Sequence, residues 1–310
     1  MHVLLAALVA LSTSQRSQID AVVERVMREH HVPGLSLGIA RDGVVLYARG
    51  YGMRDAARRL AAGAATRYPV GSIAKQFAAA LALQDTAAGT LALGAPIGRY
   101  FPSASAPLSG ITVGQLLAQT GGIATDAGAG VRSPEAALDS ILQSAPAAAP
   151  GTAWIYSNAN YVLVEAILQN VAGAAYGTLL RDRICGPLKM TATAYAATTS
   201  AGDDATGYAW RDGWVPASAG AARAFEAGNV TSNVLDLLHW LEALRSGRVV
   251  PAAQFSEMTS TARLSDGTPT NYGYGFFLPN WFGYRTIEHP GYVDGFSGVD
   301  ALVLDDGLEI

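Results

Sequence analysis

Strand-forming runs at both ends and a long helical middle predict an α/β (α+β) chain, in which one antiparallel sheet is flanked by helices and an all-helical lobe is inserted into it. Three observations carry this. "LSLGIARDGVVLYARGYG" places two β-rich runs around Asp42-Gly43, a dipeptide suited to the positive φ of a tight hairpin turn. From Ser72 to Gly247 the pattern turns to apolar helices that stop at glycines. After Asn271 the aromatic and β-branched runs "YGYGFFL", "YRTIEH" and "FSGVDALVL" return, and Asp305-Asp306-Gly307 reads as a turn. Residues 15–70 and 270–310 would build the sheet lobe, and 71–269 a mainly helical lobe. A site would sit in the cleft between them.

The first helix is expected from Gln18 to His30, because Ile19, Val22, Val23, Val26 and Met27 share a face and Ser17 with Asp20 forms a capping-box-like start. Ser72 to Ala88 is rich in alanine and leucine and stops at Gly89. "SPEAALDSILQ" offers Ser133 as N-cap and Pro134 at the first helical position. "NANYVLVEAILQNVAG" and "TSNVLDLLHWLEALRSG" complete the helical set, ending at Gly173 and Gly247.

Half of the 310 residues are hydrophobic, 15% are charged, and the net charge is −4. No basic stripe points to a nucleic-acid partner. No phosphate-cradling loop or metal-ligand spacing occurs, so neither a cofactor nor a metal is expected. Cys185 is the single cysteine, cannot form an internal disulfide, and reads as a small buried hydrophobe. Residues 1–14 are a candidate signal peptide: Val3 to Leu11 is apolar but too short to span a bilayer, and Ala10-x-Ser12 offers a small-residue cleavage site. That predicts export to the periplasm or medium, with no membrane anchor remaining after cleavage; read instead as a buried first strand or a misassigned start, the segment implies a cytoplasmic protein. Oligomeric state is not legible.

"GSIAKQF" puts Ser72 and Lys75 three residues apart. The spacing is common in general, but only Lys75 and Lys189 among the 21 basic residues are lysines. Chance then supplies the pair in roughly one chain in ten of this composition. Arginine keeps its proton near neutral pH, whereas a desolvated lysine can lose it. Helical spacing puts both side chains on one face, and a serine in the first turn sits at the positive end of the helix dipole. By itself the motif is better explained as a helix cap and a solvated charge. In "PGTAWIYSNANY", Tyr156, Ser157 and Asn158 offer a phenol, a hydroxyl and an amide just before a helix, where Ser157 or Asn158 could instead be a cap. In "EHPGYVDGFSG", His289-Pro290-Gly291 lies on or beside a strand, where an isolated histidine is more often structural.

In this order the three motifs resemble those of the serine β-lactamase and penicillin-binding-protein superfamily: S-x-x-K, Y-[SA]-N, and K-T-G or H-x-G. The likeness is greatest to class C β-lactamases, D,D-carboxypeptidases and β-lactamase-like esterases. It extends through "LLAQTGGI", "ICGPLKM" and "AGNVTSNVLDLLHWL". The resemblance implies an acyl-enzyme serine hydrolase. Ser72 would attack a carbonyl, with Lys75 and Tyr156 as its base. Asn158 would bond Lys75 or the substrate amide, and His289 would orient the substrate. The N–H groups of Ser72 and of Tyr292, the residue after Gly291, would hold the oxyanion. The implied partner is a small ester, amide or peptide.

Three departures from the family pattern shape the expectation. His289 stands where a lysine is common, which disfavours carboxylate-bearing penicillins and D-Ala-D-Ala and favours esters. Gln119 replaces the usual histidine of the "LLAQTGG" loop. The chain stops at "DDGLEI", within a strand the family completes and follows with a helix; an exposed sheet edge, an uncovered apolar face and melting below about 60 °C are expected. Two rival readings are set against this one. "GLSLG" matches the G-x-S-x-G nucleophile elbow, but Ser36 lies inside the first strand of a hairpin. A catalytically impaired peptidoglycan-binding or signalling homologue would keep the fold without turnover.

Overall fold

The computed structural model describes residues 10–131, 133–195, 202–217 and 229–310; most of the apolar N-terminal run lies outside them. Helix α1 (Thr13–Glu29) starts earlier than the expected Gln18. Ser12 and Gln15 make the capping box, with Gln15 N donating to Ser12 Oγ at 3.2 Å and Ser12 N to Gln15 Oε1 at 2.9 Å. Asp20, expected to cap the helix, instead accepts hydrogen bonds from Tyr47 and Tyr51 and pairs with Arg49 at 2.7 Å, so it ties α1 to the sheet. No residue of α1 is fully buried, and Val22 and Val26 are exposed.

Strands β1 (Gly34–Arg41) and β2 (Val44–Asp55) form the predicted hairpin, and Asp42 and Gly43 both take positive φ, 50° and 76°. β3 (Leu60–Ala61) extends β2. The far end of the chain supplies β4 (Asn280–Trp281), β5 (Tyr284–Val293), β6 (Phe296–Val303) and β7 (Leu308–Glu309). Together they make one antiparallel sheet in the order β3-β2-β1-β7-β6-β5-β4. The last strand fills only part of its place in that order, so Gly34–Ile39 of β1 and Phe296–Asp300 of β6 have no ladder partner between them among the described residues, as the expected open edge implies. β7 sits mid-sheet, pairing Leu308 and Glu309 with Arg41 and Ala40 on one side and with Val303 and Leu302 on the other. "YGYGFFL" forms no strand: Phe277 bridges to Tyr272 and to Glu288 and the rest stays irregular. Ser36, the rival nucleophile, is held within β1, where its Oγ bonds Gly63 O at 2.8 Å and Tyr68 Oη at 2.9 Å.

The inserted stretch is helical at its centre but not all-helical. Among the described residues it also carries four strands of two or three residues, 194–195, 208–210, 214–216 and 230–232, the last of which pairs with 68–69 just before the inserted stretch. Helix α2 (Lys75–Ala87) is its axis. Phe77 through Leu83 have essentially no exposed surface, so this helix is apolar all round, as a helix enclosed by others must be. Helix α3 (Asn158–Ala172) packs along it and ends at Gly173, as the pattern predicts. Helix α4 (Val234–Arg245) belongs in space to the sheet. A Cβ on Gly38 of β1 would lie 2.9 Å from the Leu238 side chain, so α4 lies directly on the strand. A boundary drawn at residue 269 therefore splits the sheet layer. No single helix among the described residues is long and apolar enough to cross a membrane.

Phe77 of α2 packs against Trp240 of α4 at 4.5 Å between centroids, with the rings tilted by 55°, joining the helical core to the sheet layer. Phe77→Ala is expected to cost about 3–5 kcal/mol in urea unfolding. A loss below about 1 kcal/mol would show that the two layers are not coupled there.

Candidate functional site

The site forms where the start of α2, the loop before α3 and strand β5 converge. Gly71–Ala74 is a single 3-10 turn leading into α2. In that geometry positions i and i+3 eclipse, which brings Lys75 Nζ to 2.9 Å from Ser72 Oγ. Two glycines allow β5 to press on this turn. Gly71 has φ of 56°, and a Cβ there would lie 2.7 Å from Tyr292 N. A Cβ on Gly291 would lie 1.9 Å from Val70 O. The Tyr292 amide is thus brought beside the Ser72 turn, while the Tyr292 side chain points into solvent, 72% exposed.

Lys75 is fully buried, and its Nζ also donates to Asn158 Oδ1 at 2.8 Å. Its ammonium faces the Tyr156 ring at 4.9 Å and the Tyr161 ring at 5.6 Å from their centroids. Burial pushes the amine down to about 7, although the Glu165 carboxylate pulls it upward. Burial pushes the Tyr156 phenol up to about 12, while a hydrogen bond with Ser72 pulls it down. Four of the sequence-predicted residues, Ser72, Lys75, Tyr156 and Asn158, therefore touch one another in an unbroken chain, and Gly291 and Tyr292 border it. Asn158 opens α3, but neither it nor Ser157 provides a side-chain cap; the Ser157 hydroxyl donates to Ala124 O at 2.7 Å.

His289 departs from the expected substrate-facing position. It has no exposed surface and lies under Tyr272, whose hydroxyl is 3.0 Å from Nε2. Its Nδ1 lies 2.7 Å from Pro290 O, so Nδ1 carries the proton and Nε2 accepts from Tyr272. Enclosure and the charge of Lys75 push the imidazole down to about 3, leaving it neutral across the physiological range. Half-buried Tyr156 and Phe277 lie 6.0 and 5.3 Å from its ring and near-parallel to each other at 6.3 Å, and half-buried Trp154 backs Phe277.

Gln119 replaces the family's histidine with a brace. Buried at a positive φ of 60°, its Oε1 accepts from Ser157 N at 3.0 Å and Asn160 Nδ2 at 2.6 Å, and its carbonyl accepts from Ile155 N at 2.9 Å. It thus fixes both flanks of Tyr156. Tyr272, Phe277 and Gln119 were not legible as site residues, because each acts through contacts distant in sequence. The buried Cys185 thiol is pushed up to about 12, mainly by burial, in keeping with a packing role.

A mixed α/β body with this serine–lysine–tyrosine arrangement defines the serine β-lactamase and penicillin-binding-protein-like class. The chain belongs to the Beta-lactamase family, whose model matches residues 19–308. It is 27% identical to Protein flp of Staphylococcus aureus (strain COL) over 302 residues, covering 93% of this chain and 60% of that protein. It is 29% identical to a D-aminopeptidase of Cereibacter sphaeroides, covering 94% of this chain and 58% of that protein. The chain thus spans about 60% of the length of these curated relatives. Among solved structures it resembles an octameric penicillin-binding protein homologue from Pyrococcus abyssi, with a TM-score of 0.84 and 26% identity, covering 95% of this chain and 72% of that one. It also resembles a D-stereospecific amidohydrolase from Streptomyces sp., with a TM-score of 0.78 and 28% identity, covering 92% and 89% of the two chains.

Gln119→Ala would leave the Ser157 amide and the Asn160 side-chain amide buried without this acceptor. A stability loss of about 2 kcal/mol or more is expected by chemical denaturation. An unchanged midpoint would mean that water replaces the brace.

Proposed function

We propose that this chain is a serine hydrolase that transfers the acyl group of esters and of D-amino-acid amides through a covalent intermediate on Ser72. The observation that carries the reading is the 2.9 Å contact between Ser72 Oγ and a lysine amine enclosed firmly enough to be lowered to about 7. At neutral pH much of that amine is unprotonated. It takes the Ser72 proton as Oγ bonds to the substrate carbonyl carbon. The new oxyanion sits between the Ser72 and Tyr292 amides. Tyr156, protonated until strongly alkaline pH, donates to the departing alcohol or amine and is reprotonated from Lys75. Water then attacks the acyl carbon, losing its proton to Lys75, and the C–Oγ bond breaks as Lys75 returns that proton to Ser72 Oγ.

Substrate class follows from His289. A neutral, enclosed imidazole supplies no cation for a substrate carboxylate at the third motif. This supports esters and amides without a free carboxylate beside the scissile bond, ahead of penicillins and D-Ala-D-Ala peptides. The D-aminopeptidase and D-stereospecific amidohydrolase relatives lend weight to the amide arm.

A panel of p-nitrophenyl esters, D-amino-acid amides, nitrocefin and D-Ala-D-Ala peptides tests this. Turnover of an ester or amide at least about tenfold above nitrocefin in kcat/KM is expected, and its loss by roughly a thousandfold or more in Ser72→Ala. Labelling of Ser72 by a fluorophosphonate probe with no turnover of any substrate would point instead to the impaired binding homologue.

The pH profile has a determined sign. Lys75 must be unprotonated to act, so kcat/KM is expected to rise through a midpoint near 7 and level off above it. A rate that falls across that interval would exclude Lys75 as the base.

A further inference from the structure

Beneath the site lies a polar cluster that the proposed chemistry does not use. Gln76 follows Lys75 and has no exposed surface. Trp240 Nε1 can only donate, and it donates to Gln76 Oε1 at 2.7 Å. That fixes the amide's orientation, so Gln76 Nε2 faces Asp300 Oδ1 at 2.6 Å and donates to it. Asp300 is 2% exposed and stands on β6 directly opposite His289 of β5. The chain Trp240–Gln76–Asp300 therefore runs from α4 through the nucleophile helix α2 to the strand paired with the third motif.

An isolated carboxyl is costly to bury, and an apolar side chain of similar volume would fill this space without that cost. What the carboxyl supplies is a directed bond. Apolar packing holds α2 against the sheet with little directional preference; a 2.6 Å hydrogen bond adds a fixed direction between α2 and β6. The spacing matters here because the Ser72 turn and β5 are in backbone contact at Gly71 and Gly291. A shift of one against the other changes the separation of the two amides aimed at the oxyanion, and that pocket tolerates little displacement.

We propose that Gln76 and Asp300 are a positioning pair that sets the register of the third-motif strand against the nucleophile turn. The proposal rests on the acyl-transfer reading of Ser72. Neither residue touches substrate. Burial pushes Asp300 up to about 7 against the pull of the Gln76 amide and the His289 backbone amide. Its Oδ1 accepts from Gln76 in either protonation state, so the tie persists across neutral pH.

The test is steady-state kinetics on the best ester of the panel, with thermal melts to confirm folding. Gln76→Leu and Asp300→Leu should each lower kcat by about 10- to 100-fold while KM moves less than about threefold. The double variant should lose no more than the worse single one, because both remove the same tie. Asp300→Asn keeps an acceptor for Gln76 and should stay within about threefold of wild type, which also preserves the test if the leucine variants do not fold. Amide hydrogen exchange gives a readout independent of turnover: in Gln76→Leu, exchange should quicken across residues 70–74 and 289–293 and not in β1 or β2. An active wild type with folded variants whose kcat is unchanged, additive losses, or an Asp300→Asn as slow as Asp300→Leu would each overturn the pairing. A wild type that neither turns over substrate nor labels at Ser72 would overturn the acyl-transfer reading instead, and hydrogen exchange alone would then decide whether the tie holds the strand.

Discussion

The enclosure of Lys75 is the constraint on which the rest of the site depends. An ammonium in water has no reason to give up its proton near neutral pH. Moved into the core at the start of α2, it loses hydration that its contacts with Ser72, Asn158 and two aromatic faces only partly replace. The cost is carried by the surroundings: an α2 helix buried on every side, and an α3 helix packed along it that brings Asn158 to the amine. Loosening either helix would rehydrate the amine and restore its ordinary basicity. The apolar core of this protein thus sets the basicity of Lys75 as well as the stability of the fold.

The second requirement is that three chain segments, distant in sequence, hold their spacing around that amine. The Ser72 turn is held by β5 through backbone contact at two glycines. The Tyr156 loop is held by Gln119, which bonds residues on either side of the tyrosine. These devices are hydrogen bonds and close backbone approach, both more directional than apolar contact. They sit on a sheet whose two halves, from opposite ends of the chain, join through the two residues of β7.

How much of this could be read from the sequence follows from the range of each interaction. Ser72 and Lys75 are three residues apart, so their meeting is a matter of local geometry, and the scarcity of lysine makes the pair stand out. Tyr156 and Asn158 flank a helix start that carries its own signals, and the helix ends at Gly173 and Gly247 were legible for the same reason. The start of α1 was misplaced because Ser12 with Gln15 and Ser17 with Asp20 both resemble caps. The decision falls to Tyr47, Tyr51 and Arg49, which claim Asp20 from another strand. Residues 272–278 have strand composition, yet their aromatic rings are drawn into the site instead of a ladder. The tie between Gln76 and Asp300 spans 224 positions and leaves no periodic trace.

His289 illustrates why a motif letter underdetermines chemistry. Read in the sequence, it replaces a common lysine and weakens a carboxylate clamp. In the folded chain it is a different kind of group: enclosed beneath Tyr272, flanked by Phe277, and proton-free at Nε2 because Nδ1 is committed to a carbonyl. The nearby Lys75 charge also opposes its protonation. A lysine placed here would need to bury a second ammonium close to the first, with Tyr272 and Phe277 standing where water would have to enter. The loss of a cation at the third motif is therefore built into the packing of the 272–278 segment. Placing a cation here would take changes in that segment as well as at residue 289, and the segment also reaches the start of α2, where a Cβ on Gly275 would lie 3.0 Å from Lys75 O.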